Sequence, residues 1–129
     1  MILSLIWATL AGAVLGSLAD WLFAGILFHD RYQTYPEVWR IGDERGRIIL
    51  AQALAIVTAG AFSLLVWRLG PMGLRASLEL AFMIWLIGPL PLLLGNHLFI
   101  KLDPLVTASH AAGWLVKLLL VGAAAAWLL

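Results

Sequence analysis

The sequence predicts an all-α, polytopic membrane protein: four transmembrane helices in one antiparallel bundle. Three observations carry that expectation. Of 129 residues, 64% are hydrophobic and 12% charged, a balance typical of membrane proteins. The apolar residues gather in four runs, Ile2–Phe28, Ile48–Leu69, Leu74–Gly95 and Leu105–Leu129. Each provides the ~20 residues that cross a ~30 Å hydrocarbon core as a helix. Strand-type alternation is absent, which argues against a transmembrane barrel. Residues 1–129 therefore read as a single membrane domain with one sizeable polar loop, 29–47.

The first run has no preceding Lys or Arg and is far longer than a signal-peptide core, so it is expected to be a retained helix. It exceeds the length of a straight crossing. Two arrangements fit: one tilted helix, or a span over 2–19 followed by an interfacial segment from Asp20 to Phe28. The nearly all-round apolar character of that segment favours immersion. Loop one holds Arg31, Arg40, Arg45, Arg47, Asp30, Glu37, Asp43 and Glu44. Its Tyr32, Tyr35 and Trp39 suit the headgroup zone. Tyr35-Pro36 interrupts any helix there, and Pro36 can open a short surface helix.

Gly70-Pro-Met-Gly73 is a tight connection that predicts an antiparallel hairpin of the second and third helices. Gly88-Pro89-Leu90-Pro91 removes two backbone donors and predicts a kink in the second half of the third helix. Asp103-Pro104, an N-cap followed by proline in the first turn, starts the fourth helix. Loops one and three carry five Lys/Arg (31, 40, 45, 47, 101), against Arg68 and Arg75 at loop two. The positive-inside rule then places loops 29–47 and 96–104 in the cytoplasm.

Lys117 lies at the centre of the uncharged fourth run. A cation at that depth costs at least ~2.5–3.5 kcal/mol unless it is paired or hydrated. At 1.5 Å per residue, Lys117 lies roughly 20 Å from the loop-three end of its helix, and Asp20 roughly 12 Å from the loop-one end of the first helix. Gln52, Asn96, His97 and His110 fall in the same half of the bundle. His110, Gly113 and Lys117 share one helical face, and Ala8, Gly12, Gly16 and Asp20 share another. Gly12-x-x-x-Gly16 is a close-approach motif. The expected arrangement is a Lys117–Asp20 pair, direct or through water, with His110 beside it. Glu79 is expected to pair with Arg75, one turn earlier.

The polar group Asp20, Gln52, Asn96, His97, His110 and Lys117 fits two uses. It can fix helix register as a structural ion pair with hydrogen bonds, or it can form a proton or ligand site. His29, His97 and His110 lack a tight metal-ligand spacing, so no metal and no cofactor are expected. Nothing recognisable activates Ser17, Thr107 or Ser109 with His110, so catalysis is not expected. The absence of cysteine removes disulfide and thiol chemistry, and a net charge of +1 gives no ground for a nucleic-acid partner.

Trp21-Leu-Phe ahead of an aromatic loop, Trp85-Leu, Asn96-His-Leu-Phe99, Ala112-Gly-Trp114-Leu-Val and Leu120-Val-Gly122-Ala together carry a family likeness. In these features the chain resembles the small four-helix bacterial membrane proteins known as domain of unknown function 1761. Loop one is longer and more charged than that pattern, and Lys117 stands where the pattern is apolar. The resemblance implies the fold and no activity. The combined expectation is an inner-membrane bundle in contact with the lipid bilayer that forms a homo-oligomer or joins a larger membrane complex. The alternative is a small carrier, channel or ligand-binding protein using Asp20, His110 and Lys117.

Overall fold

Small residues at four-residue steps let two helices of this chain meet at the backbone, and that contact organises the others. A computed structural model describes residues Met1–Leu129. Helix α1 (Ile2–Asp20) is followed by α2 (Glu44–Leu69), α3 (Leu74–Ile87), α4 (Pro89–Phe99) and α5 (Pro104–Leu128), with no strand. Four helical segments, Ile2–Leu27, Glu44–Leu69, Leu74–Phe99 and Pro104–Leu128, are long and apolar enough to cross a membrane. The protein is membrane-embedded and all-α, as its composition predicts.

The α1/α5 contact is antiparallel and closely registered. A Cβ on Gly12 would sit 3.4 Å from the Val121 side chain and 3.2 Å from Ala59, and one on Gly16 would sit 3.0 Å from Cγ of Lys117. Only hydrogen at these positions lets the backbones approach. Helix α2 packs on α1, and α3 packs on α5. Their shared core is Ala13, Ala59, Phe62, Val66, Ala81, Leu118, Val121 and Ala125. Ser77 Oγ donates to the Gly122 carbonyl at 2.7 Å, joining α3 to α5 in the same half.

Several boundaries differ from the sequence reading. The first span is continuous to Leu27, but its last seven residues, Trp21–Leu27, are π-helical. The wider turn closes with Phe28 N–H donating to the Phe23 carbonyl at 3.0 Å. Helix α2 begins at Glu44 rather than Ile48, because Asp43 caps it by accepting from Gly46 N–H. Gly42 and Asp43, both with positive φ, turn the chain into that cap. Loop one is thereby shortened, and carries 3₁₀ turns at His29–Gln33 and Pro36–Val38.

Helix α3 stops at Ile87, as the Gly-Pro-Leu-Pro stretch requires, but the chain resumes helix at Pro89 and holds it to Phe99 instead of Gly95. Proline in the first turn lacks only a donor that would have been unpaired there. The hairpin expectation needs correcting too: α2 and α3 are joined by the tight 70–73 connection yet barely touch, because α1 and α5 occupy the space between them. The four helices meet in the half next to loop two. Toward loops one and three, α4 buries no residue and α2 none before Ala55.

Candidate functional site: a charged pair beneath loop one

The α1/α5 register determines what surrounds Lys117. Gly16 lies opposite it, so the lysine stem runs along α1 toward the next turn, where Asp20 waits. Lys117 Nζ lies 2.7 Å from Asp20 Oδ2, a direct ion pair. The lysine side chain is only 8% exposed, whereas Asp20 is 34% exposed. The ammonium also lies 4.2 Å from the centroid of the Trp114 ring, one turn earlier on α5. A carboxylate and an aromatic face thus replace the water lost on burial.

The π-helical turn begins immediately after Asp20. It brings Phe23 over Gly113, where a Cβ would meet the phenylalanine at 3.5 Å. The chain then folds back across the start of α5. Tyr32 OH and Ser109 Oγ hydrogen-bond at 3.2 Å. The Tyr32 ring packs against His110 at a 5.4 Å centroid separation and against Trp39 at 5.5 Å. Burial pushes the Tyr32 phenol above its ordinary pKa; the Ser109 hydrogen bond opposes the rise and the Asp20 charge adds to it.

Loop one is fastened at two further points. Thr34 Oγ1 donates to Asp103 Oδ2 at 2.9 Å, and the other Asp103 oxygen accepts from Leu105 N–H at 2.8 Å. That backbone hydrogen bond, more than the Thr34 contact, holds the Asp103 carboxyl below its usual range. Lys101 Nζ donates to Glu37 Oε1 at 3.1 Å and lies 4.6 Å from the Tyr35 ring centroid. Glu37 is lowered as well, first by a backbone hydrogen bond and then by Lys101.

Of the residues singled out from the sequence, Asp20 and Lys117 form the pair, with His110 beside it under Tyr32. Gly12, Gly16 and Gly113 are all buried, at the α1/α5 contact and beneath Phe23. The other three do not join the pair. His97 Nδ1 is 3.0 Å from Thr107 Oγ1, linking α4 to α5 instead. Gln52 lies on the uncovered half of α2, and Asn96 in the last turn of α4. Shared depth did not imply a shared face. Glu79 does pair with Arg75, at 2.8 Å. The three histidines do not converge with carboxylates on a metal-binding geometry.

Sequence reading missed Trp114 as a partner of the ammonium, although its spacing of three from Lys117 on one helix was a usable signal. Tyr32 and Ser109 were beyond it, because nothing local says where a loop will fold. Trp85 was missed for the same reason; its Nε1 donates to the Ala111 carbonyl at 2.8 Å and ties the end of α3 to α5.

A family model described as "Protein of unknown function (DUF1761)" matches residues 7–125, and the chain belongs to that family. No curated protein matches, and no solved structure does.

Proposed function

We propose that this family member is a structural or accessory bundle of a bacterial inner membrane that assembles with copies of itself or within a larger membrane complex. The Asp20–Lys117 pair is its internal register lock. The observation carrying this reading is the closure around Lys117: a glycine opposite its stem, a carboxylate at 2.7 Å, an indole face at 4.2 Å and 8% exposure. A group built to exchange a ligand or proton is expected to keep a wetted face at its cation. The uncovered flank of α4 supports the assembly part, because that helix buries no residue in the protomer and leaves Leu92 and Leu98 exposed. The excess of Lys/Arg in loops one and three supports a cytoplasmic position for both.

The test is native mass spectrometry of the detergent-solubilised protein, together with cysteine cross-linking in membranes from Leu92 and Leu98. The reading expects a discrete oligomer or complex and a cross-link through this flank. A monomer with neither contradicts it.

One observation favours a second reading, a small carrier or ligand-binding protein. Asp20 is four times as exposed as its partner, at 34% against 8%, and lies beneath a loop that brings Tyr32, Ser109 and His110 together. Proton flux in proteoliposomes that is lost in Asp20→Asn, with thermal stability retained, would select this reading over the first.

A further inference from the structure

Loop one and the start of α2 enclose a cleft of about 790 Å³ that the charged pair does not use. Its size falls within the range of small-ligand sites. Its charged walls are Arg40, Asp43, Glu44 and Arg47, two of each sign, so the lining suits neither a simple anion nor a simple cation. Two of the four are already engaged within the protein. Asp43 caps α2 by accepting from Gly46 N–H, and Arg47 donates to the carbonyls of Arg40 and Gly42. The Arg40 guanidinium and the Glu44 carboxylate take part in no ion pair. Tyr32 and Trp39, packed on each other, supply the aromatic wall.

We propose that this cleft binds a zwitterionic phosphate ester, a phosphate joined by a short chain to an ammonium, and that it does so as the headgroup of an ethanolamine phospholipid. Arg40 takes the phosphate through charge-assisted hydrogen bonds. Glu44 takes the ammonium. The case for a lipid source lies immediately below: the next turns of α2 present Ile48, Ile49, Leu50 and Leu54 without cover from the rest of the protein. A headgroup seated in the cleft would lay its acyl chains on that flank. The aromatic pair sits where interfacial rings ordinarily meet headgroups.

The test uses the full chain in detergent micelles, read by native mass spectrometry. The probes are phosphatidylethanolamine and phosphatidylglycerol with matched chains, in competition, and water-soluble phosphoethanolamine as the third arm. Wild-type protein is expected to retain phosphatidylethanolamine preferentially. Arg40→Gln should lower that retention about tenfold, the loss of one charge-assisted hydrogen bond. Glu44→Gln should erase the preference over phosphatidylglycerol, and Arg68→Gln, at the far end of α2, should change neither. Displacement of the lipid by equimolar phosphoethanolamine would keep the site and its chemistry but assign it to the soluble ester. Equal retention of both lipids by wild type, or unchanged retention in both cleft variants, overturns the proposal.

Discussion

A lysine near the middle of a spanning helix is tolerated here because three neighbours act on it together. Gly16 leaves room for its stem, Asp20 neutralises its charge and Trp114 faces its ammonium. Each makes a separate prediction. Gly16→Ala puts a methyl 3.0 Å from Lys117 Cγ, against a stem held at its far end by the ion pair. It should destabilise the protein by about 1–3 kcal/mol, the usual cost of overpacking, measured by thermal or SDS unfolding in detergent. Trp114→Leu removes the aromatic face together with part of the packing of Trp114 on the core, so it should cost about 1–3 kcal/mol, and less once Lys117 is also Met. In the opposite half, Ser77→Ala removes a buried hydrogen bond to the Gly122 carbonyl. It should cost about 1 kcal/mol without affecting the charged pair, because that carbonyl keeps its helical partner.

Elements were legible from the sequence to the extent that their signals are local. Four spans follow from apolar length, and the start of α5 from Asp103-Pro104. The kink after Ile87 follows from two prolines that cannot donate, and helix beyond it was expected as far as Gly95; only its extension to Phe99 was not legible. The π-helical turn at Trp21–Leu27 leaves no mark in composition. It goes with the seat of Phe23 over Gly113, after which the chain folds back across the start of α5. Of the candidate site, the Asp20–Lys117 pair was readable because depth, face and charge all converge on it. Gln52, Asn96 and His97 matched in depth alone, and the fold sends them elsewhere. Because Trp85 anchors the end of α3 to the Ala111 carbonyl at 2.8 Å, Trp85→Phe should loosen the α3/α4 break. Faster amide exchange over 84–92 than in wild type, with α1 and α2 unchanged, is the expected readout.

At the scale of the molecule, the half next to loop two is a shared four-helix core, and the other half is held by α1, α5 and the loop folded over them. That division gives the pH response a location. Asp103 and Glu37, which fasten loop one, have depressed pKa values in the folded protein. The folded state therefore binds fewer protons than the unfolded state through the carboxylate range. The stabilisation is complete above the ordinary carboxylate values and is lost as pH falls through the folded ones. Lowering the pH from about 7 to about 3 should release loop one before the core, and Asp103→Asn should show a weaker pH dependence. Amide exchange over 29–43, compared with that of α5, would follow the release in the otherwise unaltered protein. The central claim is that Asp20 and Lys117 act as one unit that fixes α1 against α5. Its most direct test is the double-mutant cycle of Asp20→Asn, Lys117→Met and both together, read as unfolding free energy in detergent. Asp20→Asn should be the costlier single change, by about 3–5 kcal/mol, because it leaves a closed ammonium unpaired, whereas Lys117→Met leaves a carboxylate with some exposure. The double variant should recover most of the loss. Additive effects of the two single changes, with no coupling between them, would contradict the account.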